Sequence, residues 1–187
     1  MSPVSAIILA GGQSLRMKRD KAELTYHGVS FIQHQVDKLR AAGIDDIVIS
    51  GYSKPIHGTC YVPDIYPHLG PLGGVHAGLL AVKNDSSLVL SVDTPLLPVE
   101  LLEELAKEHR SKITVVSCNG RLEPLIGVYD RTVADECVKI LKSGNTSMRE
   151  LLKTVGCHTK NYSGKEELLL NCNTPEEYEK LCNLIRT

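Results

Sequence analysis

The chain has 187 residues, 42% of them hydrophobic and 23% charged, and a net charge of −1 at neutral pH. That length supports one substantial core and predicts a single domain over residues 1–187. The charge balance argues against a general binder of nucleic acid or membrane surfaces, and no apolar run approaches the roughly 20 residues of a membrane span. Aromatic residues are sparse (seven Tyr, one Phe, no Trp), so there is no platform for stacking single-stranded nucleic acid. The six cysteines are scattered and none forms a C-x-x-C pair. This predicts free thiols in a reducing cytoplasm rather than a zinc site or disulfides. The N-terminus enters a strand with no charged n-region or cleavage pattern, so no signal peptide is expected.

The first element is a strand from Val4 to Ala10, a β-branched run of the kind buried on both faces in a parallel sheet. It stops at Gly11-Gly12, where the backbone can turn sharply and approach a ligand closely. Four bases follow at once, Arg16, Lys18, Arg19 and Lys21, against one acid, Asp20. A tight turn with inward N–H groups, followed by cations, can hold phosphates. It can equally be a strand followed by a solvated basic turn. Neither G-x-x-x-x-G-K-[ST] nor G-x-G-x-x-G is present. Glu23 to Tyr26 then reads as extended and His27-Gly28 as a turn. Ser30 caps a helix to about Ala42, with Ile32, Val36 and Leu39 on one face and Gly43 as its stop. Asp46 to Ser50 and Cys60 to Val62 are the second and third strands.

Pro67 to Gly78 is a second glycine-rich segment leading into a helix through Val82. Its small residues fit either close approach by a ligand at a helix N-terminus or tight helix–sheet packing. Ser87 to Val92 is the fourth strand and reads as central. It ends at Asp93, on the edge of the sheet where open α/β folds bind ligands. A carboxylate there suits Mg²⁺ beside nucleotide phosphates, or can cap the helix predicted over 98–110. Ile113 to Cys118 is the fifth strand, Asn119-Gly120 a turn, and Glu123 to Tyr129 an extended run. Asp130 caps a helix over 131–142, and a short helix begins at Ser147 and runs to Thr154. Arg149 on it could meet a substrate phosphate, but reads better as a solvated helix-face residue. Gly156 to Asn161 and Glu167 to Asn171 read as extended. The final helix, capped by Thr174 with Pro175 at its first position, runs to about Ile185. Strands alternating with helices predict a three-layer α/β/α architecture around a mostly parallel sheet.

Residues 9–22, L-A-G-G-x-S-x-R-M-x-x-D-K-A, resemble the opening motif of nucleotidyltransferases with a Rossmann-like fold, and most closely that of the molybdenum cofactor guanylyltransferases. Three further motifs stand in the family's order: 70–74, Asp93-Thr94-Pro95 at 93–95, and Asn171-Cys172-Asn173-Thr174-Pro175-Glu176 at 171–176. Two positions depart from the pattern: Lys18 stands where the family has glycine, and Ser50 where it has asparagine. The resemblance implies transfer of GMP from GTP to molybdopterin carrying molybdenum, with release of pyrophosphate. It implies a nucleotide site of Leu9, Ala10, Gly11, Gly12, Lys21, Asp64 and Asp93. It further implies Mg²⁺ on Asp93, charge stabilisation by Arg16 and Lys21, and Asn171 and Asn173 beside the second substrate, which the Pro124-Leu125 region also approaches. Asp20 before Lys21, where the related cytidylyltransferases carry proline, favours guanine. Implied partners are GTP, molybdopterin and other proteins of molybdenum cofactor synthesis or use. The alternatives are a nucleotidyltransferase of the same fold using CTP or a sugar phosphate, and a non-catalytic nucleotide-binding module.

Overall fold

A computed structural model describes residues 3–11, 20–63, 65–66 and 69–183. The candidate residues Gly12, Arg16 and Asp64, and Lys18 with them, lie outside the described residues. The elements are, in order, β1 (Val4–Leu9), β2 (Thr25–Tyr26), β3 (Val29–Ser30), α1 (Phe31–Ala41), β4 (Ile47–Ser50), β5 (Cys60–Val62), α2 (Gly70–Ala81) and β6 (Ser86–Ser91). There follow α3 (Val99–Glu108), β7 (Ile113–Cys118), β8 (Arg121–Asp130), α4 (Ala134–Lys142), α5 (Met148–Val155), β9 (His158–Asn161) and α6 (Pro175–Asn183).

Among the described residues, seven strands form one sheet in the order β5-β4-β1-β6-β8-β7-β9, while β2 and β3 make a separate hairpin. Every pairing in the large sheet is parallel except those of β8, which runs against both β6 and β7. The predicted mostly parallel three-layer sheet is therefore what forms. One core lies under α1, α3 and α6 and takes Ala6 and Ile8 from β1; the other lies under α2, α4 and α5 and takes Ile7 and Leu9. Burial on both faces explains why the strand reads as a continuous apolar run rather than an alternating one.

Three expectations are corrected. Glu167 to Asn171 is not extended; Glu166–Leu169 forms a 3₁₀ turn, and of its leucines only Leu169 packs into the core, while Leu170 is half-exposed. Consecutive leucines carry no strand period, and Leu169 is drawn into the core under α1, α3 and α6. Lys21–Glu23 is likewise a 3₁₀ turn, begun by Asp20, whose Oδ1 accepts from the Ala22 N–H at 3.0 Å. The helix predicted over 131–142 starts as a 3₁₀ turn at Arg131–Val133, capped by Asp130 as expected, and becomes α-helical at Ala134.

The second glycine segment largely serves packing beyond its first turn. A Cβ on Gly78 would stand 2.5 Å from an Ile7 methyl, and one on Gly73 would stand 2.9 Å from the Tyr66 carbonyl. A tighter approach joins the ends of β1 and β4. Gly51 has φ +83°, and a Cβ there would lie 2.3 Å from the Gly11 Cα and 2.4 Å from its nitrogen. The first loop and the loop after β4 thus meet backbone to backbone. Gly51→Ala is expected to cost about 2–4 kcal/mol, adding left-handed strain to overpacking. Gly43→Ala, in the turn that ends α1, shares a positive φ but has nothing within 4 Å, and is expected to cost only about 1–2 kcal/mol. Chemical denaturation of the two variants checks the contrast.

Candidate active site

The carboxyl ends of β1, β4 and β6 lie level. Leu9 stands opposite Ser50 on one side and Ser91 on the other. The ladder runs one residue further, with the Ala10 N–H donating to the Ser50 carbonyl at 2.8 Å and the Val92 N–H to the Leu9 carbonyl at 3.0 Å. Leu9 and Ala10 are buried and Gly11 is exposed, so the chain leaves the sheet at the glycine. Asp93 follows two residues after β6 and is placed on this edge, as its position in the sequence predicts.

Asp93 is held by both carboxylate oxygens. Oδ1 accepts from Ser91 Oγ at 2.5 Å, and Oδ2 lies 2.8 Å from the Lys21 ammonium. Lys21 also donates to Asn173 Oδ1 at 2.5 Å. The side chains of Lys21 and Asp93 are only 19% and 9% exposed. A charge pair this shielded holds together because its oxygens and protons find further hydrogen bonds. The reading of Asp93 as a helix cap fails: α3 begins at Val99, after Pro98, without a side-chain cap. Residues far apart in sequence, from the first loop, the end of β6 and the segment before α6, therefore meet at one point.

The segment before α6 is fixed locally. Glu177 Oε2 accepts from the Asn173 N–H at 2.6 Å and the Thr174 N–H at 3.0 Å, and Thr174 Oγ1 accepts from the Glu177 N–H at 3.2 Å. This is a capping box, as Thr174 and Glu177 suggested. The Cys172 N–H donates to the Asp93 carbonyl at 2.7 Å, which ties the segment to the metal candidate itself. Burial, reinforced by the Asp93 charge, pushes the Cys172 thiol up to about 11, so it stays protonated and is no nucleophile here. Asn171 is exposed and stands outside the Lys21–Asp93–Asn173 cluster.

Two residues that support the site were not singled out in the sequence. Gln35, fully buried on α1, donates through Nε2 to the Ser91 carbonyl at 3.0 Å, the Thr94 carbonyl at 2.9 Å and Thr94 Oγ1 at 3.3 Å. It holds the turn that presents Asp93. One helical turn on, Lys38 donates to the Pro95 carbonyl, and burial lowers its pKa to about 8. The signal for Gln35 was present: it interrupts the apolar face made by Ile32, Val36 and Leu39. A polar side chain on a core-facing stripe must have buried partners.

Other candidates fall around this edge. β8 leaves β6 at Ile126, opposite Leu90, and its register with β7 shifts between Val115 and Val116. Pro124 and Leu125 fill the bulge, which Tyr129 braces by donating to the Pro124 carbonyl at 2.5 Å. The Pro-Leu pair thus lies at the same end of the sheet as Asp93. Arg149 is exposed on α5, as expected of a solvated helix-face residue. His34 Nε2 donates to the Tyr26 carbonyl, His109 Nδ1 shares a hydrogen bond with the Thr114 hydroxyl, and His76 is buried beside Tyr66. Among the described residues no group of three or more His, Cys, Asp or Glu side chains could hold a metal by itself. The six cysteines are unpaired.

Gln35→Leu should lower stability by about 1 kcal/mol, because the Ser91 and Thr94 carbonyls each lose one donor but keep Thr94 Oγ1 and the Leu97 N–H. Denaturant titration checks it. Lys38 holds fewer protons folded than unfolded between its lowered pKa of about 8 and the ordinary 10.5. Stability should therefore rise with pH across that window and be flat on either side of it as far as Lys38 contributes. The rise should vanish in Lys38→Met, compared by melting at pH 7 to 10.5.

The family model described as a MobA-like NTP transferase domain matches residues 6–161. A molybdenum cofactor guanylyltransferase of Xanthomonas euvesicatoria is 34% identical over 96% of this chain and 94% of its own length. A probable molybdenum cofactor guanylyltransferase of Carboxydothermus hydrogenoformans is 30% identical over 98% of both chains. The crystal structure of molybdopterin-guanine dinucleotide biosynthesis protein A from Archaeoglobus fulgidus superposes with a TM-score of 0.81, covering 98% of this chain and 99% of that one at 20% identity, and so shares the fold. The resemblance of the four sequence motifs is thereby borne out over nearly the full length, and the chain belongs to the family of MobA-like NTP transferases.

Proposed function

We propose that this protein transfers GMP from GTP to the terminal phosphate of molybdopterin carrying molybdenum, forming the guanine dinucleotide cofactor and releasing pyrophosphate. The observation that carries the reading is the convergence of Lys21, Asp93 and Asn173 at the carboxyl edge of the sheet, beside the Gly11 turn. An acceptor phosphate is already anionic near neutral pH, so its oxygen can attack the α-phosphorus without a general base. One P–O bond forms as the bond to pyrophosphate breaks, and the protein's part is alignment and charge stabilisation.

The residues fit a magnesium ion. One shielded hard carboxylate, Asp93, is what Mg²⁺ takes when substrate phosphates and water supply the remaining oxygens. Bound there, the ion would polarise the phosphoryl oxygens. Lys21 would neutralise charge growing on the transferring group and pyrophosphate, and Arg16 is assigned the same work from its motif. The backbone at Leu9, Ala10, Gly11 and Gly12 would pass the nucleotide, with Asp64 at its base or ribose. Asn171 and Asn173, with the Pro124–Leu125 bulge, would border molybdopterin. Unpaired cysteines suit a cytoplasmic enzyme that receives molybdopterin from, or passes its product to, other molybdenum cofactor proteins.

Pyrophosphate release with Mg²⁺ and molybdopterin tests this, with GTP, CTP, ATP and UTP compared in parallel. Release is expected with GTP, and release with CTP alone would move the protein to cytidylyl transfer. Asp93→Ala should abolish turnover in a folded chain, and unchanged release would remove the carboxylate from the mechanism. Lys21→Ala should lower kcat by about 10²–10³-fold, the usual loss when one donor to developing charge is removed.

A further inference from the structure

The position a metal would take on Asp93 already holds a cation. Lys21 Nζ lies 2.8 Å from Oδ2, and the other oxygen, Oδ1, is taken by Ser91 Oγ at 2.5 Å. Lys21 does not rest on the carboxylate alone: Asn173 Oδ1 accepts a second proton of the same ammonium at 2.5 Å. Asn173 is itself clamped. Its N–H donates to Glu177 Oε2 at 2.6 Å, and the preceding Cys172 N–H donates to the Asp93 carbonyl at 2.7 Å. A divalent ion approaching this carboxylate meets a fixed positive charge at bonding distance, with one lone pair on each carboxylate oxygen already engaged. Repulsion between two cations at such a shielded point is poorly screened.

Resting on the nucleotidyl-transfer reading, we propose that Asn173 is a positioning residue that keeps Lys21 on Asp93 in the free protein, so that a divalent cation enters only together with nucleotide. The polyphosphate of an incoming nucleotide offers the lysine several charged oxygens in place of one carboxylate and one amide. Once the lysine turns to the phosphates, Asp93 Oδ2 is free for the ion that accompanies them. Metal and nucleotide then bind cooperatively, each raising the other's affinity by the same factor. The lysine also keeps the carboxylate compensated until that moment, so no bare charge is left in a shielded site.

The test is a titration of the full chain with Mn²⁺, in the absence of nucleotide, read by the loss of the free-ion paramagnetic resonance signal. Lys21→Met should bind Mn²⁺ about tenfold or more tightly than the unaltered chain, because a like charge has left the site. Lys21→Arg, which retains the charge, should bind as weakly as the unaltered chain. Asn173→Ala, which leaves the lysine only one partner, should move in the direction of Lys21→Met by a smaller factor. Adding Asp93→Asn to Lys21→Met should cancel the gain. With GTP present, the Mn²⁺ retained with the protein on ultrafiltration, beyond that bound to free GTP, should rise strongly in the unaltered chain and much less in Lys21→Met. Melting curves on each variant confirm that the fold is retained.

Equal or weaker Mn²⁺ binding by folded Lys21→Met would overturn the proposal, as would a gain that survives Asp93→Asn. Asn173→Ala indistinguishable from the unaltered chain would remove the positioning role. The nucleotide-free titration involves no turnover. A failure of guanylyl transfer therefore shows in the pyrophosphate assay alone, and a failure of this inference in the Mn²⁺ titration alone.

Discussion

The parallel register of β1 is the constraint on which the rest of the molecule depends. Leu9 pairs at once with Ser50 and Ser91, so three strands finish at the same height and three loops emerge side by side. A slip of one residue would turn Ile7 and Leu9 toward the wrong core and carry Asp93 away from the first loop. The two cores enforce the register from both faces, and the Gly11–Gly51 approach marks where it ends. A side chain at Gly51 could not be accommodated without parting the strands just below the site.

Around that line the site uses little machinery. Asp93 and Lys21 supply opposite charges, Ser91 and Asn173 orient them, and Gln35 holds the turn from beneath. Among the described residues the hydroxyl in the cluster, that of Ser91, is spent on orienting Asp93, and the adjacent Cys172 thiol is held protonated. Such an arrangement suits chemistry in which the nucleophile arrives charged and the difficulty lies in bringing anions together. It also explains why the supporting bonds run mainly to backbone carbonyls and carboxylates: what must be fixed is the position of charge.

Much of this was legible in the residues. β1, its glycine stop and the strand ending at Asp93 follow from apolar runs interrupted at a ligand-binding edge, and Ser30, Thr174, Pro175 and Glu177 announce their helix ends by capping chemistry. The 3₁₀ turn at Glu166–Leu169 was not legible, because consecutive leucines carry no period and which of them is buried is decided by the neighbouring core. The antiparallel course of β8 is likewise a matter of tertiary pairing, although Asn119-Gly120 hinted at a hairpin. The meeting of Lys21 with Asn173 could not be read from spacing at all, since 152 residues separate them. Gln35 was readable in principle, as a polar residue on an apolar stripe, but its partners lie on a loop that only the fold brings near. The motif resemblance placed Asn173 beside the active site; the structure shows what its side chain grips there.

The last helix has a thinner hold than its place in the site suggests. Among the described residues of α6 only Leu181 is buried, with Tyr178 reaching the Thr25 carbonyl at 2.6 Å and lying near the Phe31 ring. An element so lightly packed is among the first to open in native-state fluctuations, while the sheet, buried on both faces, stays shut. Each opening would lift Asn173 from Lys21 without disturbing β1, β4 or β6. Amide exchange along α6 is thus a distant reporter of what occupies the sheet edge.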